Sequence, residues 1–122
     1  MGYILIAEDD LSSQDVIKIV MKMEGFEHRF VGNGQEALQA VAKEVPSLIL
    51  LDLQMPVMDG PTFLNLYCKA PDGNYAPIIV VSAHPGRFED FAPCVVDFLH
   101  KPYELSALLG IIKKYMPPQA SV

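Results

Sequence analysis

The chain has 122 residues, 51% of them hydrophobic and 20% charged, which is the size and balance of one ordinary domain with a single core. Its net charge of −6 argues against direct nucleic-acid binding, which needs a basic surface. No apolar run is long enough to cross a bilayer, and the start "MGYILIAEDD" has neither the basic region of a signal peptide nor the Ser or Thr of a myristoylation signal.

The first apolar run, residues 3–7 "YILIA", reads as a strand. Ser12 and Ser13 can cap a following helix that carries Val16, Val20 and Met23 on one face, with Ile17 and Met21 beside them, and Gly25 ends it. A second strand is expected at 28–31, "HRFV". After Asn33-Gly34, residues 35–44 place Ala37, Leu38, Val41 and Ala42 on a helical face. The third strand, "LILLDL" at 48–53, runs from apolar residues into Asp52. Pro61 suits the first turn of a helix through Phe63, Leu64 and Tyr67.

A fourth strand is expected at 77–83, "PIIVVSA", and a fifth at 95–100, "VVDFLH". The segment between them, "HPGRFEDFAPC", holds two prolines and a glycine and predicts at best a short or irregular fourth helix. Residues 103–115 form a last helix with Leu105, Leu108, Leu109 and Ile112 inward.

The first, third and fourth runs are continuous rather than alternating, as in strands covered on both faces. Strand and helix alternate, so the fold class is α/β with a doubly wound parallel sheet. Right-handed crossovers gather the strand C-termini on one edge, where such sheets bind ligands. The two cysteines, Cys68 and Cys94, lack a CxxC spacing and, with three scattered histidines, do not make a zinc site. Both are expected to be reduced packing residues of a cytoplasmic protein.

The strand ends carry a chemically coherent set: Glu8-Asp9-Asp10, Asp52, Ser82-Ala83 and Lys101-Pro102. Clustered carboxylates need a cation beside them, and oxygen-only ligands in an open pocket suit Mg²⁺ shared with a phosphate, with Mn²⁺ able to stand in. A carboxylate can form an acyl phosphate, while an ammonium and a hydroxyl hold the phosphoryl oxygens. Taken singly, Asp52 reads as a turn residue, the acidic run as a cap and Lys101 as a surface lysine; the joint placement favours a site. A phosphatase of the haloacid dehalogenase type wants D-x-D, whereas this strand reads Asp52-Leu53-Gln54, and no Gly-rich phosphate loop supports nucleotide binding.

With "ILIAEDD", "NGQEAL", "LILLDLQMPVMDG", "VVSAH" and "DFLHKP" in place, the chain resembles a response-regulator receiver domain of two-component signalling from Tyr3 to about Met116. The resemblance implies a flavodoxin-like sheet of five parallel strands in order 2-1-3-4-5. It implies a single receiver domain over 1–122, with its core at 3–116 and a tail at 117–122. Asp52 is then the phosphoacceptor, Asp9, Asp52 and the Gln54 backbone carbonyl ligate Mg²⁺, and Glu8 holds a metal-bound water. Ser82 and Lys101 contact the phosphoryl group, the bond to Pro102 is cis, and Phe98, where tyrosine is frequent, is either the switch aromatic that couples to Ser82 or a plain core aromatic. Gln54 and His84 occupy positions that tune hydrolysis.

The donor implied is a histidine kinase or a histidine phosphotransfer protein. The output is a contact with an unknown downstream protein or onward phosphotransfer, with no membrane insertion. The expected protein is a stand-alone switch that catalyses only its own phosphorylation and dephosphorylation. The alternatives are a degenerate binding-only receiver, or a module of a hybrid kinase or larger regulator.

Overall fold

A computed structural model describes residues 2–69, 75–83 and 93–116. Its elements are β1 (Ile4–Ala7), α1 (Leu11–Glu24), β2 (His28–Val31), α2 (Gly34–Lys43), β3 (Leu48–Asp52), α3 (Gly60–Tyr67), β4 (Ile78–Ser82), β5 (Val95–His100) and α4 (Leu105–Tyr115). The five strands form one parallel sheet, as their apolar runs predict, in the order β2-β1-β3-β4-β5 that the resemblance implies. Of the segment expected to be a short or irregular helix, residues 84–92, His84 among them, lie outside the described residues, and Pro93 and Cys94 form a turn into β5.

Strands β1, β3 and β4 are buried along their whole length, which explains their unbroken apolar sequence. Side-chain alternation splits the core into two layers. Ile4, Ile6, Leu48, Leu50, Ile79 and Val81 pack with Ile17, Val20 and Met21 of α1 and with Leu108 and Ile112 of α4. Leu5, Ile49, Leu51, Ile78 and Val80 pack on the opposite face with Ala37 of α2 and with Phe63, Leu64 and Tyr67 of α3.

Three helices begin on a side-chain cap at a strand's carboxyl end. Asp10 caps α1 by accepting from Ser13 N at 2.9 Å, Asn33 caps α2 and Asp59 caps α3. The expected cap at Ser12 or Ser13 is therefore corrected. Three residues suffice to turn the chain out of β1, and the Asp10 carboxylate reaches both the amide and the hydroxyl of Ser13 first. The inward stripe is corrected with it. Ile17, Val20 and Met21 are buried, whereas Val16 and Met23 are 38% and 66% exposed, because two overlapping stripes share Val20 and only packing on Ile6 and α4 chooses between them. Ala42 and Leu105 also lie outward.

The cysteines depart most from expectation. Cys68, the C-cap of α3, and Cys94, just before β5, form a disulfide with Cα atoms 5.7 Å apart. Linear spacing hides this pair, because the chain returns to α3 only after β4 has been added to the sheet. Closing a loop across 26 positions contributes about 3 kcal/mol by restricting the unfolded chain.

β5 is an edge strand with an irregularity at its start. Ile78 pairs with Val95, but Ile79 pairs with Asp97, so Val96 is an extra residue. α4 clasps this bulge from the other layer, where the Tyr115 hydroxyl lies 3.1 Å from the Val96 carbonyl and 2.7 Å from Asp97 Oδ2.

Candidate functional site

The carboxyl ends of β1, β3, β4 and β5 bring Glu8, Asp52, Ser82 and Lys101 together. Glu8 extends β1 by one residue, its amide donating to Val31 O at 2.9 Å. Lys101 follows β5, its amide donating to Ser82 O at 2.8 Å. The Lys101–Pro102 bond is cis, as the resemblance implies.

Lys101 Nζ bridges the two buried acids, donating to Glu8 Oε1 at 2.8 Å and to Asp52 Oδ2 at 3.0 Å. The other oxygen of each acid is held by backbone. Asp52 Oδ1 accepts from Gln54 N at 3.0 Å, and Glu8 Oε2 accepts from Asp10 N at 3.2 Å. Glu8 and Asp52 are 3% and 7% exposed, and Ser82 is as deep at 3%. Asp9 stands at the solvent side, with one carboxylate oxygen each from Glu8, Asp9 and Asp52 within 4.8 Å of one another.

Burial pushes the Glu8 carboxyl up, and contact with Asp52 adds to the rise, against the hydrogen bond from Lys101. Burial works to lower the Lys101 ammonium, but Glu8 and Asp52 together outweigh it and hold it above the ordinary lysine range. Lys101 is therefore a firm cation, yet the two carboxylates it bridges belong to a cluster of three with Asp9. That residual negative charge, offered entirely through oxygen, fits a hard divalent cation such as Mg²⁺. Asp9, Asp52 and Glu8 are the residues that would hold it.

The backbone after Asp52 is held without help from exchangeable side chains. Gly60 N donates to Leu53 O at 3.0 Å, and a Cβ at Gly60 would stand 2.7 Å from Leu53 Cα. Gly34 N donates to Met58 O at 2.8 Å, and a Cβ there would meet that oxygen at 2.9 Å. Between these anchors Val57 takes φ +66°, a rare conformation for a β-branched residue, while Met58 N reaches Pro56 O at 2.7 Å in a three-residue turn. Gln54 is exposed on this loop, placed by its amide bond to Asp52.

Phe98 lies half-buried on β5 in the layer of α3, two residues before the exposed His100 and with its ring 6.3 Å from that imidazole. The register pairs Val80 with Phe98 and Ser82 with His100, so Phe98 lies two positions before the residue opposite Ser82.

Gln14 is a site-supporting residue that sequence reasoning missed. From α1 its Nε2 donates to Glu8 O at 2.7 Å and ties down the acidic turn. A glutamine in a first helical turn carries no signal of that role by itself. Beside Lys101 a cavity of about 400 Å³ opens, lined by Ser12, Ser13, Val16, Ala83 and Tyr103.

The profile of the response regulator receiver domain matches residues 4–113. The chain is 32% identical to sporulation initiation phosphotransferase F of Bacillus subtilis, covering 93% of each. It is 30% identical to the DNA-binding response regulator MtrA of Mycobacterium tuberculosis, covering 90% of this chain but spanning only about half, 48%, of that relative. The receiver domain of a sensor histidine kinase of Pseudomonas aeruginosa has the same fold, with a TM-score of 0.79 at 26% identity, covering 93% of this chain and 96% of that one. Its crystal structure has a magnesium ion coordinated in the active site cleft. The matched span takes in every strand and each of the four gathered side chains, and the chain belongs to the response regulator receiver domain family.

Proposed function

We propose that this receiver is a phosphorylation switch in which the Asp52 carboxylate accepts a phosphoryl group from a histidine kinase or histidine phosphotransfer protein. The observation that carries this reading is the Lys101 ammonium bridging Glu8 and Asp52 at the carboxyl edge of the sheet. An Asp52 oxygen attacks phosphorus, an O–P bond forms, and the P–N bond to the donor imidazole breaks with the electron pair returning to nitrogen. Asp9, Asp52, the Gln54 carbonyl and, by way of water, Glu8 would hold a Mg²⁺ ion, which would supply positive charge to the phosphoryl oxygens.

Lys101 gives those oxygens a second cationic contact, and the Ser82 hydroxyl donates a hydrogen bond to them. Phe98 then repacks beside Ser82 and carries the change to the surface. Hydrolysis of the acyl phosphate resets the protein, at a rate tuned by Gln54 and His84. The chain promotes only its own phosphorylation and dephosphorylation. Its output is a protein contact or onward phosphotransfer, the latter supported by its likeness, over 93% of each chain, to a sporulation initiation phosphotransferase.

The test is incubation of the wild type and Asp52→Asn with acetyl phosphate and Mg²⁺, resolved on a phosphate-affinity gel. The expected result is retardation of the wild type alone, abolished by EDTA. Retardation of both proteins, or of neither, overturns the reading.

A further inference from the structure

We propose that Cys68 and Cys94 form a reversible redox clip, opened and closed by a small dithiol, that governs the freedom of the edge strand β5. The bond joins the C-cap of α3 to the residue that leads into β5. Cys94 is 1% exposed among Phe63, Leu64 and Tyr67, so it pins the strand to the core layer of α3. It also stands two residues before the bulge at Val96, where the ladder from β4 to the edge strand is irregular. On the other layer Tyr115 clasps that bulge, and Lys114 Nζ stands 3.6 Å from Asp97 Oδ2. With the bond open, the start of β5 keeps its ladder to β4, including Ile78 N to Cys94 O at 2.9 Å, but loses its one covalent tie to α3. The strand carries Phe98 and leads into Lys101, so its freedom bears on the placement of both.

Cys68 is half-buried where Cys94 is not, so exchange enters at Cys68. A thiolate of the dithiol attacks Cys68 Sγ, the Cys68–Cys94 bond breaks, and Cys94 leaves as a thiolate that takes up a proton. The second thiol of the reagent then attacks its own mixed-disulfide sulfur, loses its proton and frees the Cys68 thiol. Two electrons and two protons pass from the dithiol to the protein, and the reagent departs as a cyclic disulfide. Closure is the reverse, with the cyclic disulfide as oxidant.

The test poises the full chain in mixtures of reduced and oxidised dithiothreitol, quenches with acid, and measures the 2 Da mass change together with amide hydrogen exchange. The expected result is one transition between a disulfide and a dithiol form of the folded protein. Across it, exchange in Val95–His100 rises at least tenfold on reduction while exchange in Ile4–Ala7 stays within twofold. A Cys68→Ala/Cys94→Ala variant should exchange like the reduced chain in every mixture. A folded chain that stays in one redox form throughout, or a change in β5 no larger than in β1, overturns the clip; the wild-type series decides this even if the variant does not fold.

Discussion

Two ion pairs of equal length have different physical standing in this molecule. Lys101 and Glu8 meet at 2.8 Å at the carboxyl edge of the sheet, with side chains 24% and 4% exposed. Arg29 and Glu44 also meet at 2.8 Å, between the outer strand β2 and the end of α2, with side chains 51% and 54% exposed. Distance does not separate them; water does. In the first pair Glu8 stays buried when Lys101 is lost, and a third group, Asp52, depends on the same ammonium. In the second, solvent solvates either partner that is left alone.

The largest break in this contrast is Lys101→Ala. It strands two buried carboxylates, so chemical denaturation should show a loss of about 3 kcal/mol without metal, partly restored by Mg²⁺. A loss no larger than that of a surface pair would place Lys101 in the same class as Arg29.

A smaller effect sharpens the comparison through pH. The Glu8 carboxyl is raised, first by burial, so it takes up its proton above the ordinary carboxylate range. A raised acid stabilises the fold in its protonated form, a contribution fully present below its unfolded pKa and lost as pH rises through the folded value. Asp59 and Asp97 behave oppositely. Asp59 is lowered by its bonds to Thr62; Asp97 is lowered because bonds from Tyr115 and Phe98 outweigh its burial. Their contributions are lost as pH falls through their folded values. Mg²⁺ affinity measured by calorimetry should therefore fall on acidification at a pH above that of an ordinary glutamate, and Glu8→Gln should remove that component. An affinity that holds until the ordinary carboxylate range would contradict it.

The smallest change is Glu44→Gln. It removes an exposed pair while leaving Arg29 over the Tyr3 ring at 4.4 Å, and should alter stability by no more than about 0.5 kcal/mol in the same denaturation assay.

The same division between buried and solvated chemistry explains what could be read in advance. Strands β1, β3 and β4 are legible because burial on both faces demands unbroken apolar sequence. Asp52, Glu8 and Lys101 are legible because a charge at the end of such a strand needs a reason. The α1 cap was misplaced because Asp10 and Ser13 are both good capping residues and only the length of the turn out of β1 chooses Asp10. Gln14 and the cysteine pair were hidden for a different reason. Their partners, the Glu8 carbonyl and the start of β5, are brought near by the finished topology, and no local pattern encodes that meeting.

The loop behind Asp52 has a consequence for how such a protein can vary. Its course is set by Gly60 against Leu53 and by Gly34 against Met58, contacts made of backbone. Gln54 and Val57 project from that frame into solvent. Exchanging the side chain at 54 changes the company the carboxylate keeps, not where it stands. On the function proposed above, duration and geometry are then written at separate positions, and such a signal could be retimed without being rebuilt.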